Sequence, residues 1–195
     1  MTLMSLAPVP EWMFPPEGGF TAEDLDHLPD LPPHTELIDG SLVLVSPQAA
    51  FHALVLFVME HALHHAAPPH LRVRREMTIT LDDDQRPEPD LLVIHANAAR
   101  NLPQTTFVPS DVVLAAEVVS PESRSRDRKR KPMLYAEAGI EHFWLIENER
   151  GKPVLYTHQI NDSSDGYDQT GRHEGIARLG EPFPVEIDFG EIDRL

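Results

Sequence analysis

A chain of 195 residues, 41% hydrophobic and 25% charged, has the composition of an ordinary globular protein and is long enough to bury one substantial core. No apolar run approaches the roughly 18 residues of a membrane span, and the first residues lack the basic start and compact apolar stretch of a secretory signal, so a cytoplasmic location without membrane contact is expected. The lack of cysteine excludes disulfides, thiolate metal sites and cysteine nucleophiles, while a net charge of −16 argues against tight non-specific binding to nucleic-acid phosphates.

Residues 1–18 carry Pro8, Pro10, Pro15 and Pro16 and read as a flexible N-terminal arm, leaving 19–195 as one domain. Thr21, followed by Glu23 and Asp24, marks a short helix that ends before Pro29. The pair Asp39-Gly40, set between Glu36-Leu37-Ile38 and Ser41-Leu42-Val43-Leu44-Val45, predicts a tight β-hairpin. From Gln48 to Ala67, apolar Leu54, Phe57, Val58, Ala62 and Leu63 recur at helical spacing until Pro68-Pro69. Arg72–Leu81 reads as one strand, and Asp82-Asp83-Asp84 as a solvated turn. Asp90–Ile94 and Val112–Val119 read as buried strands, the second almost wholly apolar. A helix within Ser123–Ala138 stops at Gly139, a residue suited to the left-handed cap. Ile140–Ile146 is a further strand, and the remainder reads as peripheral strands and loops. The fold expected is α/β, a mixed central sheet flanked by helices.

Three residues in this pattern point to chemistry. Asp90 opens an apolar strand directly after Pro89, and Glu117 lies near the end of the next, among Ala115, Ala116, Val118 and Val119. A carboxylate in such surroundings is costly to desolvate unless it is paired, protonated or bound to a cation. Acids at the ends of adjacent strands can converge on one point, and oxygen donors are what Mg²⁺ or Mn²⁺ prefers. Lys131 follows in the next helix, four residues after Asp127. Of 16 basic residues only Lys129, Lys131 and Lys152 are lysines. The basic run over 124–131 follows Glu117 closely, so Arg124, Arg126 and Arg128 are candidates for phosphate contact. A zinc-protease reading of His61 and His65 fails, because position 62 is alanine where that motif needs glutamate.

The ordered set Glu36-Leu37-Ile38-Asp39-Gly40, Pro89-Asp90, Glu117-Val118-Val119-Ser120-Pro121, Asp127 … Lys131 … Tyr135 and Ala138-Gly139-Ile140 … Phe143-Trp144 resembles the Uma-type family, a large bacterial branch of the PD-(D/E)xK nuclease superfamily. The likeness runs from about Phe20 to about Leu145 and weakly beyond. It implies a restriction-endonuclease-like fold and Mg²⁺- or Mn²⁺-dependent cleavage of DNA, with Asp90 and Glu117 as metal ligands and the Val118 carbonyl as a third. Glu36 matches the family's early acid and would complete the site. The superfamily pattern places a lysine two residues after the second acid, where this chain has Val119, and the likeness moves that role to Lys131. His52, Asp127 and Tyr135 are expected as supporting residues around these groups, and pairing into a homodimer is a habit of the fold class.

Two other readings follow from the charge. The fold could serve as a catalytically silent module binding nucleic acid or protein, or it could hydrolyse a phosphodiester other than nucleic acid.

Overall fold

The computed structural model describes residues 10–161, 163 and 166–195. Half of the expected N-terminal arm, residues 1–9, lies outside them. The chain forms α1 (Asp24–His27), β1 (Glu36–Ile38), β2 (Ser41–Val43), α2 (Ala50–Ala66), β3 (Leu71–Arg75), β4 (Thr78–Ile79), β5 (Leu91–His95), β6 (Thr106–Phe107), β7 (Val112–Val118), α3 (Lys131–Glu137), β8 (His142–Glu149), β9 (Lys152–Ile160), β10 (Tyr167–Glu174), β11 (Ile176–Leu179) and β12 (Val185–Asp188).

Among the described residues, six strands form a mixed sheet in the order β10-β9-β8-β7-β5-β3. β7 and β8 run parallel while every other neighbouring pair is antiparallel. A parallel pair cannot be joined by a tight turn, and here the connection is made by α3 with a π-helical turn, Arg126–Arg130, in front of it. The architecture is the α/β fold expected from the sequence.

Alternation along the strands builds two cores. Leu91 and Val93 of β5, Leu114, Ala116 and Val118 of β7, and Trp144 and Ile146 of β8 face one side, covered by α2 and by the β11–β12 hairpin through Ala177, Val185 and Ile187. Leu92 and Ile94, Ala115, and Phe143 and Leu145 face the other, against Tyr135 of α3, Ile140, Ile79 and Phe107. Glu117 alternates with Ala116 and Val118, so it stands on this second face.

Three local expectations are corrected. Arg72–Leu81 is not one strand: Glu76 takes a φ of 51°, which separates β3 from β4, and β4 pairs in parallel with β6 away from the main sheet. In α2 the buried stripe is His52, Val55, Leu56, Val58, Met59 and Leu63. Phe57, expected on the apolar face, is half exposed, because the helix turns the 52/55/56/59/63 stripe toward the sheet and 57 lies on its flank. Each of the five apolar side chains in that stripe and beside it contributes about 1.5–3 kcal/mol by leaving water. Thr21 does not cap α1 in the usual sense: its N–H and Oγ1–H both donate to the Asp24 carboxylate, at 2.7 and 2.9 Å.

The β1–β2 hairpin forms as expected. Asp39 and Gly40 adopt φ of 52° and 65°, the left-handed pair that a two-residue turn needs if its twist is to match the strands. Asp39 then pairs with Arg130 of the π-turn, docking the hairpin against the start of α3. That contact brings β1 beside Lys131.

Candidate active site

The π-turn and Pro132 together explain how Lys131 is aimed. Pro132 closely follows the π-turn and lacks the N–H that would carry the turn's hydrogen bonds on into α3. The wider turn before it absorbs the change of helix geometry, and Lys131 points inward rather than to solvent. Its side chain is 5% exposed, and its Nζ lies 2.7 Å from Glu36 Oε1, 3.0 Å from Glu117 Oε2 and 3.8 Å from Asp127 Oδ1. Glu117 Oε1 accepts a hydrogen bond of 2.6 Å from the Tyr135 hydroxyl, one helical turn beyond Lys131. The ammonium is therefore held from three parts of the chain: the hairpin, β7 and the turn before α3.

Asp90 enters from β5. The antiparallel register pairs Leu91 with Ala116, so one further step sets Asp90 opposite Glu117. Its carboxylate is doubly held, with Oδ2 accepting from the Val118 N–H at 2.6 Å and Oδ1 bonded to His52 Nε2 at 2.9 Å. Glu36 is fixed as well, since its Oε1 also accepts from the Glu88 N–H at 2.9 Å. Asp127 Oδ2 accepts from the Ser123 hydroxyl, but its buried Oδ1 has no hydrogen-bond donor.

Asp90, Glu117, Lys131, Glu36, Val118, His52 and Asp127 all line one cavity of about 430 Å³. Tyr135 stands behind it through its bond to Glu117. Of the three arginines expected to meet phosphate, Arg126 lines the cavity and its Nε is buried without a partner. Arg128 turns away into a pair with Glu147, and Arg124 is exposed outside the cavity. Glu88 also lines the cavity and was not singled out from the sequence. The only trace it left there was an acid two residues before Asp90, in the stretch Pro87-Glu88-Pro89-Asp90.

The electrostatics follow from burial. Among the described residues, seven carboxylates (Glu36, Glu76, Glu88, Asp90, Glu117, Glu122 and Asp127) line the cavity, against the permanent cations Arg126 and Lys131. Desolvation drives the Glu117 carboxyl well above its ordinary range; Lys131 opposes that rise, and Asp127, Asp90 and Glu36 add to it. Burial alone would pull Lys131 down, yet Glu117, Glu36, Asp127 and Asp90 outweigh it and hold the ammonium charged. Burial first, then repulsion from Asp90 and Glu36, lifts Asp127 to about 6 despite Lys131 and Ser123. Tyr135 is pushed up by burial and by Glu117, so its phenol remains a donor.

Such a site is short of positive charge. Among the described residues, no three histidine or carboxylate side chains form a closed group able to hold a metal. Mg²⁺, however, is commonly bound through one or two carboxylates with water and substrate oxygens completing the shell. Asp90 and Glu117 are oxygen donors of that kind, and Asp127 Oδ1 beside them has no hydrogen-bond donor, only the Lys131 ammonium at 3.8 Å. The residues fit a hard divalent cation.

Residues 22–188 match the Uma2 family, described as "Putative restriction endonuclease". The chain belongs to this family. A solved structure, described as a "putative nuclease belonging to DUF820" from Anabaena variabilis, is similar to the Uma2 chain with a TM-score of 0.68 over 89% of this chain and 97% of that one. At 15% identity this likeness carries the fold. No curated protein matches the sequence. Among the described residues of this Uma2 protein, no helix is long and apolar enough to cross a membrane.

Proposed function

We propose that this Uma2-family protein is a Mg²⁺- or Mn²⁺-dependent endonuclease that hydrolyses DNA phosphodiester bonds. One observation carries the reading: Lys131 Nζ stands between Glu36 and Glu117, at 2.7 and 3.0 Å, in the same cavity as Asp90. A lysine buried among carboxylates contributes little to stability relative to an apolar core, so the arrangement is better understood as serving a reaction.

In this reading Asp90 and Glu117 hold the cation, with the Val118 carbonyl as a further donor. The bound cation supplies positive charge against the oxygens of the scissile phosphate. The Val118 N–H and His52 fix the Asp90 carboxylate, so it need not reorganise when substrate arrives. Tyr135 orients Glu117 from behind. The Lys131 ammonium donates to the attacking water or to the phosphoryl oxygen on which charge develops, an interaction strengthened by the low dielectric of a buried site. Arg126, whose Nε lacks a partner, supplies a second positive group toward the phosphate. The acidic character of the molecule makes the cation necessary twice, once for chemistry and once to let a phosphate approach. Pairing into a homodimer would present two such sites to the two strands of a duplex.

Nicking of supercoiled plasmid in Mg²⁺ and in Mn²⁺ tests this. Wild-type protein should nick, and Asp90→Ala and Glu117→Ala should not. Plasmid left intact by pure, folded protein in both metals removes the proposal.

A silent binding module is the second reading, and one observation favours it: both Glu117 oxygens already have protein partners. Calorimetry separates the two, because a silent site should show no Mn²⁺ binding that depends on Glu117.

A further inference from the structure

A second cavity, of about 370 Å³, adjoins the first; His34, Glu76 and Glu88 line both. This volume falls within the roughly 300–1,000 Å³ of small-ligand pockets. We infer that the second cavity receives the base of a nucleotide next to the bond cut in the first, an inference that rests on the nuclease reading and extends it to how the strand is seated.

The chemistry of the walls selects the base rather than another phosphate. The walls of the second cavity set the apolar side chains of Leu31, Pro32 and Met77 among the neutral polar ones of Thr35, Gln104 and Thr105. Among the described residues its one permanent cation, Arg86, is buried and already spent: Nη1 and Nη2 donate to the Asp26 carboxylate at 2.8 and 2.9 Å, and Nε donates to Thr78 Oγ1 at 3.0 Å. With that guanidinium neutralised by Asp26, Glu76 paired with Arg75 and Glu88 with His34, the charges on these walls are matched among themselves and leave no cation over for an anion. A nucleobase is neutral, flat and apolar on its faces, with polar edges, and such walls accept it.

The shared wall is also where the backbone is strained. His34 and Glu76 adopt φ of 62° and 51°, in the left-handed region that side chains other than glycine rarely take. Strain of this kind persists where the surrounding structure imposes it, and it clusters at ligand clamps. His34 Nδ1 lies 2.5 Å from Glu88 Oε1, and the Glu88 N–H in turn donates to Glu36 of the first site. One connected set of bonds thus joins the wall between the cavities to the acid that contacts Lys131.

The test is binding of a short fluorescein-labelled single-stranded DNA, followed by anisotropy with Ca²⁺ replacing Mg²⁺ so that the strand is held without being cut. Leu31→Trp and Thr105→Trp each add bulk at a residue that lines the cavity. Each should weaken binding about tenfold, the scale expected for losing one well-packed base, with an unchanged melting temperature. A strand of the same length made of abasic nucleotides should bind wild-type protein about tenfold more weakly than the intact strand, and this arm needs no variant to fold. Filled variants that melt and bind like wild type, or an abasic strand that binds as tightly as the intact one, would overturn the inference. Wild-type protein that binds the strand but never cuts DNA in Mg²⁺ or Mn²⁺ sinks the nuclease reading alone, while protein that binds no strand sinks both.

Discussion

Lys131 and Glu117, 14 residues apart in the chain, meet at 3.0 Å where their side chains are only 5% and 2% exposed. Glu36 completes the contact from a hairpin still further away in sequence, at 2.7 Å from the same nitrogen. One ammonium thus faces several carboxylates in a place where water screens little, and most consequences of the structure follow from that imbalance.

Glu117→Gln should separate stability from activity. The carboxylate is held above its ordinary pKa chiefly by desolvation, so removing its charge relieves a cost, while the amide oxygen can still accept from Tyr135 or Lys131. We expect stability at pH 7 unchanged or raised by about 1 kcal/mol in urea denaturation, with nicking reduced by about 10²–10³-fold. A variant that is strongly destabilised would show that the charge holds the fold together.

Lys131→Met should do the opposite to the fold. It strands Glu36, Glu117 and Asp127 without their cation, and breaking a buried pair from one side costs about 3–5 kcal/mol. The loss should shrink as the pH is lowered and those acids take up protons. A loss independent of pH would point to packing instead.

The pH dependence at Asp127 has a definite sign. Burial raises this acid from its ordinary 3.8 to about 6, so between those values the folded chain binds more protons than the unfolded one. Stability from this group is complete below about pH 3.8 and is lost as the pH rises through about 6. Asp127→Asn should therefore lose less stability than wild type between pH 4 and pH 7, the difference approaching roughly 3 kcal/mol at most. Parallel denaturation curves for the two proteins across that range would contradict the assignment.

A divalent cation should act on the same charges. Mn²⁺ at a hundredfold excess over its Kd should stabilise the protein by about 2.7 kcal/mol, and EDTA should reverse the effect. Binding should tighten from pH 5.5 to pH 8, because Glu117 and Asp127 must give up protons to face the ion. Calorimetry at the two pH values, with Asp90→Ala as the control that loses binding, checks this.

His52 tests the support given to Asp90. The imidazole bond of 2.9 Å fixes one carboxylate oxygen while the Val118 N–H fixes the other. His52→Ala should weaken Mn²⁺ binding or lower nicking about 10–100-fold, and His52→Gln, which can still reach and donate, should recover part of the loss. Equal effects of the two variants would mean the side chain serves packing alone.

The hairpin at Asp39-Gly40, the helix ended by Pro68-Pro69 and the apolar strands around Asp90 and Glu117 were legible in the residues themselves, because local backbone preference and apolar periodicity decide them. The order of motifs was legible too, and it pointed to the family that residues 22–188 match. What a single chain in extension cannot express is which side chains share a space. Nothing local to Glu88 distinguishes it from a surface acid; it becomes part of the site because its N–H donates to Glu36, 52 residues away. Arg124, Arg126 and Arg128 look alike in sequence, yet the π-turn sends only Arg126 into the cavity and leaves Arg128 to Glu147. The break at Glu76 was likewise invisible to alternation, since the strand pattern continues across a residue whose conformation is imposed by the two sheets it separates. Local chemistry wrote the elements and the acids. Burial and long-range contact decided which acids face one another, because desolvation and charge repulsion exist only once the chain has closed around them.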